Sequence, residues 1–213
     1  MTATTTLLVI AKEPRPGRVK TRLTPPFTPA EAAALAAAAL ADTLAAVAAT
    51  PARRRVLVLD GAPGPWLPPG FDVVPQCAGG LDERLADAFA GCAGPALLIG
   101  MDTPQVTPDL LDVVFHGCDA YFGPAEDGGF WALGLARPEP ALLRGVPMST
   151  QVTGAVQRER LLTAGLRVRD LPRLRDVDTA ADARAVAALV PDGRFAARLA
   201  ACAPAADRRR ASR

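Results

Sequence analysis

The sequence has little of what several classes of protein need. It contains one histidine, His116, which leaves little room for histidine-based acid–base chemistry. Its four cysteines lie far apart without a C-x-x-C pair, which argues against a zinc site and against a secreted disulfide framework. The P-loop, dinucleotide-binding and G-x-S-x-G patterns are also missing, so ATPases of the P-loop type, dehydrogenases and serine hydrolases are disfavoured.

The sequence also lacks a large excess of positive or negative charge and a long hydrophobic run. The net charge of +2 is too small to indicate a nucleic-acid partner. No stretch reaches about 18 consecutive apolar residues, so we expect no membrane span. The first six residues, MTATTT, lack the basic start and apolar run of a signal peptide. These features together predict a cytoplasmic protein.

The composition is that of a globular chain, with 213 residues, 50% of them hydrophobic and 22% charged. That length predicts one domain, for which we expect the bounds 1–203. The remaining segment, 204–213, is rich in arginine and has no large apolar residue to anchor it. We expect it to be a disordered basic tail.

Short apolar runs alternate with longer amphipathic ones along the chain. The runs predict strands at 5–11, 55–59, 72–75, 96–100, 119–123, 130–135 and 166–171. The longer segments between these strands predict helices at 29–49, 81–91, 107–117, 151–164, 179–189 and 192–201. This alternation indicates a single-domain α/β fold with a Rossmann-like, mostly parallel sheet. Ligands of such sheets bind beyond the carboxyl ends of the strands, so the loops there are the candidate site.

The loop after the first strand is strongly basic. Between residues 12 and 22 it carries Lys12, Arg15, Arg18, Lys20 and Arg22. Such a loop can neutralise the negative charges of a diphosphate or triphosphate, and Gly17 would permit a tight bend. A solvated basic loop is the alternative.

Carboxylates follow three later elements. Asp102 ends an apolar strand, where it could hold Mg²⁺ together with phosphate oxygens or could cap a turn before Pro104. The segment 126–129 (EDGG) is typical of a hairpin turn, and a functional role can coexist with that. Segment 176–179 (DVDT) precedes a helix that Asp178 or Thr179 could cap. A phosphatase D-x-D-x-T motif normally follows the first strand, so we disfavour that reading.

Five strings in this order resemble one known family. They are AKEPRPGRVKTRL (11–23), QCAGGLDER (76–84), GMDTP (100–104), GPAEDGG (123–129) and DVDT (176–179). They are similar to a family of glycosyltransferase-A-superfamily proteins related to the deazaflavin-cofactor guanylyltransferases. Some members of that family are described as arsenosugar-biosynthesis glycosyltransferases. The resemblance covers roughly residues 5–190.

The resemblance implies a nucleotide-diphospho-sugar transferase fold and a set of site residues. The nucleotide would be bound by Ala11, Lys12, Gly17, Lys20, Arg22, Gln76 and Arg84. A metal ion, Mg²⁺ or Mn²⁺, would be held by Asp102 and Asp178. The catalytic residues would be Asp102, Lys20 and Asp127, the last of these on the acceptor side. Met101 and the pair Phe130–Trp131 depart from the family pattern, and a wider apolar acceptor pocket could follow.

These expectations lead to one main hypothesis and several alternatives. The main one is a metal-dependent transferase that moves a glycosyl group from a nucleotide-sugar to a small-molecule acceptor. The first alternative is a nucleotidyltransferase that uses a nucleoside triphosphate and releases pyrophosphate. The second is a non-catalytic nucleotide-binding protein. The same residues serve the two reactions, so the sequence leaves them open.

Overall fold

A computed structural model describes residues 5–202, which form a seven-stranded sheet flanked by helices. Its strands are β1 (Thr6–Lys12), β2 (Arg54–Asp60), β3 (Asp72–Pro75), β4 (Ala96–Gly100), β5 (Ala120–Pro124), β6 (Phe130–Leu135) and β7 (Val168–Asp170). Their order across the sheet is β3-β2-β1-β4-β6-β5-β7, and β6 alone runs antiparallel to its neighbours. The predicted mostly parallel α/β sheet is therefore confirmed.

Residues 5–202 form six helices. They are α1 (Pro29–Ala49), α2 (Leu81–Ala90), α3 (Pro108–Leu111), α4 (Thr153–Thr163), α5 (Ala180–Leu189) and α6 (Arg194–Cys202). Of these, α5 and α6 pack on α1 rather than on the sheet. Short 3₁₀ turns lie at Thr21–Leu23 and Pro140–Leu142. The predicted tail 204–213, and with it the predicted domain boundary at 203, lies outside the described residues.

Alternate residues of the central strands face opposite helical layers. In β1, Leu7 and Val9 pack with Leu44 of α1, whereas Leu8 packs on the other face with Phe89 of α2. All these side chains are at most 1% exposed. A strand buried on both faces needs apolar residues at every position, which is why β1 and β4 are continuous apolar runs.

Helix α1 starts where the sequence places a capping signal. The Thr28 hydroxyl accepts a hydrogen bond from the Glu31 N–H at 3.2 Å, and the Glu31 carboxylate accepts one from the Thr28 N–H at 2.8 Å. Within residues 5–202, α1 is the one helix long and apolar enough to cross a membrane, with a mean hydropathy of 1.8. Half of that window is buried in the fold, against the sheet and α6, as in the core helix of a globular domain.

The helix predicted at 107–117 is wrong beyond its first turn, because α3 ends at Leu111. The β-branched pair Val113–Val114, which comes one residue later, loses side-chain freedom in a helix, and this weakens continuation there. The Val114 carbonyl instead accepts a hydrogen bond from the Tyr121 hydroxyl at 2.8 Å, which ties the segment to β5. His116 therefore lies exposed in a bend rather than on a helix surface.

Candidate active site

A cleft of about 540 Å³ opens where β1 and β4 end and β6 begins. The segment 76–84 forms one of its walls, and the β5–β6 turn with the loop 148–153 forms the opposite wall. Clefts of this size hold small ligands, and this one lies at the sheet edge where open α/β folds bind them.

Lys12 is the last residue of β1, and its side chain is exposed at the cleft. It makes no ion pair with any residue in 5–202. Its backbone N–H meets the sulfur of Met101 at 3.2 Å, and a thioether is a weak acceptor. Both the N–H and the ammonium of Lys12 are thus available to a stronger acceptor such as a phosphate oxygen.

Gln76 holds the neighbouring wall in place rather than reaching for a ligand. Its amide nitrogen donates to the carbonyls of Ala11 at 2.8 Å and Val58 at 3.1 Å. Its amide oxygen accepts from Arg84 Nη1 at 3.0 Å, and the same nitrogen lies 3.1 Å from Asp60. Arg84 is therefore fixed at the cleft, and its Nη2 has no hydrogen bond to another described residue.

Lys20 lies between two carboxylates. Its ammonium is 2.9 Å from Asp102 Oδ2 and 3.0 Å from Asp178 Oδ1, and its side chain is 8% exposed. Burial opposes the charge, but attraction by the two carboxylates outweighs burial and raises the pKa of Lys20 above its ordinary value. Arg22 adds a more exposed contact, 3.3 Å from Asp178 Oδ2.

The backbone of Lys20 is in the left-handed region, with φ 49° and ψ 41°. A lysine rarely adopts that conformation, and strain of this kind persists where the surroundings favour it. Here it delivers the ammonium into the carboxylate cluster just before the 3₁₀ turn. Lys12 and Lys20 are also the only lysines in a sequence that otherwise uses arginine.

Asp176 is a site residue that the sequence reasoning did not select. Its carboxyl lines the cleft beside Asp102 and Asp178, and burial, followed by repulsion from Asp127 and Asp102, raises its pKa to about 7. The intervening Val177 is buried, and its N–H donates to the Asp102 carbonyl at 3.1 Å. The alternation of polar and buried residues in 176–178 could have indicated that both aspartates face one side.

The carboxylates suit a divalent cation whose coordination shell a substrate would complete. Within residues 5–202, no group of three or more His, Cys, Asp or Glu side chains forms a ready metal cage. Yet Asp102 Oδ1 and Asp176 Oδ1 are buried without a hydrogen-bond partner there, which is costly for a carboxylate. Mg²⁺ commonly takes one or two carboxylates and completes its shell with phosphate oxygens and water. The donor set suits such an open site.

The β5–β6 turn forms the opposite edge of the cleft. Asp127 Oδ1 accepts a hydrogen bond from the Gly129 N–H at 2.8 Å, and Gly128 has φ 91°, as the turn predicted from the sequence requires. The turn is fixed on the start of α4, because the Gly154 N–H donates to the Gly128 carbonyl at 2.8 Å. Asp127 thereby lines the cleft across from Lys12.

Most of the residues proposed from the sequence converge on this cleft. Those that line it are Ala11, Lys12, Gln76, Arg84, Asp102, Asp127 and Asp178. Lys20 reaches it through its two carboxylate contacts, and Arg22 stands at the rim with its side chain 75% exposed. Gly17 is not among the residues that line the cleft, and its expected contact with the phosphates stays a prediction. It has φ 73° and open space where a Cβ would lie, as the predicted bend requires.

The sequence reasoning also missed most of the second wall. The structure adds Met148, Ser149, Thr150 and Thr153 there. These four residues carry no motif, and only the packing of α4 against the hairpin brings them to the cleft. Thr103, of the string 100–104, lines the cleft beside Asp102. Phe130 and Trp131, the two aromatic residues that depart from the family pattern, both line the cleft. Phe130 is half-buried, and Trp131 is buried with its indole N–H donating to the Pro172 carbonyl at 2.9 Å.

Comparison with known families gives one match. The model of the family described as "Uncharacterized protein conserved in bacteria (DUF2064)" matches residues 32–150, and the chain belongs to that family. No protein with a curated description matches the chain.

Several solved structures share the fold. A protein from Desulfovibrio desulfuricans G20, provisionally named a nucleotide-diphospho-sugar transferase, is 25% identical, with a TM-score of 0.74 over 89% of this chain and 95% of its own. The synthetase of CMP:2-keto-3-deoxy-manno-octonic acid, solved with CTP, is 11% identical, with a TM-score of 0.57 over 89% and 99%. Rv0371c from Mycobacterium tuberculosis H37Rv, solved with manganese, is 21% identical, with a TM-score of 0.51 over 87% and 98%. These likenesses confirm the expected type of fold.

Proposed function

We propose that this member of the DUF2064 family is a metal-dependent transferase that moves a glycosyl group from a nucleotide-sugar to a small-molecule acceptor. The observation that carries the proposal is the meeting of Lys20, Asp102 and Asp178 at the carboxyl edge of the sheet, next to the free cation of Lys12. A cation site beside a phosphate-binding group is what a nucleotide diphosphate needs. The 25% identical structure, provisionally named a nucleotide-diphospho-sugar transferase, supports the same class.

The donor would bind along the wall formed by β1 and the segment 76–84. Its diphosphate would accept hydrogen bonds from the N–H and ammonium of Lys12 and from Arg84 Nη2. Charge-assisted hydrogen bonds of this kind are roughly twice as strong as neutral ones. Gln76 would act indirectly, because its amide is fully occupied in fixing Arg84 and the end of β1.

Asp102 and Asp178 would hold Mg²⁺ or Mn²⁺, which when bound supplies positive charge to the phosphate oxygens of the leaving group. Rv0371c, which shares the fold at 21% identity, was solved as a complex with manganese. Lys20 would hold the two carboxylates at a fixed separation and add its own charge near the leaving group. Preorganised charge of this kind stabilises the transition state without reorganisation.

Asp127 would serve the acceptor. Its Oδ1 is engaged by the Gly129 N–H, which fixes the side chain and leaves Oδ2 without a hydrogen bond to any described residue. As the acceptor oxygen forms its bond to the anomeric carbon, the bond from that carbon to the nucleoside diphosphate breaks. The hydroxyl proton would pass to Asp127 Oδ2, as in general base catalysis.

Nucleotidyl transfer is the second candidate, since the synthetase with bound CTP shares the fold. In nucleotidyl transfer an acceptor oxygen, of a phosphate or of a hydroxyl group, attacks the α-phosphorus of a nucleoside triphosphate and pyrophosphate leaves. Lys12, Lys20 and the carboxylates would act in the same places. For either reaction we propose the cytoplasm, where nucleotide donors are made, as the location.

A thermal-shift panel tests the proposal. Nucleoside di- and triphosphates and nucleotide-sugars are each added with and without Mg²⁺ or Mn²⁺. A donor at 100 times its Kd stabilises the fold by about 2.7 kcal/mol, and we expect that gain to require the metal. The stabilising donor is then incubated with acceptors, and the released product distinguishes glycosyl transfer (nucleoside diphosphate) from nucleotidyl transfer (pyrophosphate). Binding without turnover would favour the non-catalytic alternative, and no metal-dependent ligand would refute the proposal.

A further inference from the structure

The two walls of the cleft differ in charge. Lys12 and Arg84, the cationic residues among the described residues that line it, both stand on the wall of β1 and α2. The opposite wall carries Asp127 and the half-buried Phe130, with Met148, Ser149 and Thr150. No lysine or arginine lines that wall among residues 5–202. The cationic wall suits the donor phosphates, which leaves the other wall to the acceptor.

The first two N–H groups of α4 do not make up for the missing cations. A helix N-terminus can bind an anion when its first N–H groups are free. Here the Thr153 N–H donates to the Thr150 carbonyl at 3.2 Å, and the Gly154 N–H donates to the Gly128 carbonyl at 2.8 Å. The Val152 N–H is engaged by the Thr150 hydroxyl at 3.3 Å. These donors hold the loop and the hairpin together and are not available to an acceptor phosphate.

Other donors on this side are engaged as well. The Trp131 indole donates to the Pro172 carbonyl, and the Thr153 hydroxyl donates to the Pro147 carbonyl at 2.8 Å. The Ser149 hydroxyl, for which no hydrogen bond to another described residue is formed, remains for an acceptor. An exposed carboxylate, Asp127, repels anions from the same position. The acceptor wall therefore combines apolar surface, one free hydroxyl and negative charge.

We infer that the acceptor is an uncharged hydroxyl compound with an apolar portion, and not a phosphate ester. Its apolar part would pack on Phe130 and Met148, and its hydroxyl would lie between Ser149 and Asp127. The inference rests on the proposed function, because it takes the cationic wall as the donor site. It also argues against nucleotidyl transfer to an acceptor phosphate, since such an acceptor would place about two further negative charges beside Asp127.

Matched pairs of probes test the inference on the full chain, loaded with Mg²⁺ and the nucleoside diphosphate that stabilises it. Each pair consists of an n-butyl glycoside of glucose, galactose or mannose and the corresponding hexose 1-phosphate. Affinities are measured by ligand-observed NMR titration, so turnover is not needed. We expect at least one butyl glycoside to bind about tenfold or more tightly than its phosphate partner, as repulsion across a few ångströms of partly desolvated space requires.

A charge-neutral variant isolates the cause. Asp127→Asn keeps the oxygen that accepts from the Gly129 N–H but removes the charge, so the hexose 1-phosphate should bind several-fold more tightly. The butyl glycoside loses an acceptor for its hydroxyl and should bind no more tightly than it does to the wild type, so its preference over the phosphate should shrink. Asp112→Asn is the matched control, because Asp112 is exposed and adjoins Val113, whose carbonyl accepts from Thr5 at the opposite end of β1. That control should change neither affinity.

Two results would overturn the inference. One is a hexose 1-phosphate that binds the wild-type protein as tightly as its butyl glycoside, and the other is the failure of every butyl glycoside to bind. In both cases the nucleotide and metal would still stabilise the protein, so the proposed transferase function would stand. If no nucleotide binds with metal in the first place, the proposed function itself fails and the acceptor inference fails with it.

Discussion

Replacing Lys20 by methionine should destabilise the metal-free protein and make its stability depend on divalent cations. The substitution keeps the buried stem but removes the ammonium that lies 2.9 Å from Asp102 and 3.0 Å from Asp178. Loss of one partner from a buried ion pair typically costs about 3–5 kcal/mol, because the remaining charge is left uncompensated. The two carboxylates are 38% and 32% exposed, so water screens part of this and we expect about 2–3 kcal/mol.

The assay is urea unfolding with and without Mn²⁺, in parallel with the variant Arg22→Gln. Arg22 also contacts Asp178, but its side chain is 75% exposed, so its loss should cost less than about 1 kcal/mol. Saturating Mn²⁺ should restore more stability to Lys20→Met than it adds to the wild type, since the ion replaces the missing charge. Equal losses in the two variants, or a metal response that Lys20→Met does not enlarge, would refute this account of the cluster.

Two further substitutions follow from the same structure. Because the pKa of Asp176 is raised to about 7, the folded protein keeps a proton that the unfolded chain releases near pH 4, and stability is lost as the pH rises through about 7. Asp176→Asn should therefore stabilise the metal-free protein at pH 8, on the order of 2 kcal/mol, and should add little stability at pH 4. Thermal unfolding at the two pH values measures this difference. An equal gain at both pH values would contradict the raised pKa of Asp176. Gly154→Ala should destabilise the protein by about 2 kcal/mol or more in a urea titration, because the added Cβ would overlap the Gly129 carbonyl. Gly91→Ala is the control: its Cβ meets only an ordinary contact at 3.6 Å, so it should cost less than about 1 kcal/mol.

The strands and most helices could be predicted from the sequence because local pattern decides them. A strand buried on both faces, such as β4, must be a continuous apolar run. The start of α1 is indicated by its capping residues, Thr28 and Glu31. Helix α3 could not be predicted correctly beyond Leu111. Its continuation competes with a hydrogen bond from Tyr121, a residue that only the tertiary fold brings near.

The candidate site was predictable where it follows strand ends. Lys12 is the last residue of β1 and Asp102 follows the end of β4, and sheet geometry alone places such residues together. The pairing of Lys20 with both carboxylates needs a left-handed backbone that no motif predicts. The raised pKa of Asp176 depends on burial and on neighbours distant in the chain, which a local pattern does not contain.

The central claim is that Asp102 holds a divalent cation together with a nucleotide, and calorimetric titration of Mn²⁺ in the presence of the stabilising nucleotide tests it most directly. Asp102→Asn keeps the shape of the side chain and removes the charge. Asp112→Asn is the control, because Asp112 lies near the opposite end of β1 from the cleft. We predict that Asp102→Asn binds Mn²⁺ at least about tenfold more weakly than wild type while the control is unchanged. Undiminished Mn²⁺ affinity in a folded Asp102→Asn protein would contradict the account.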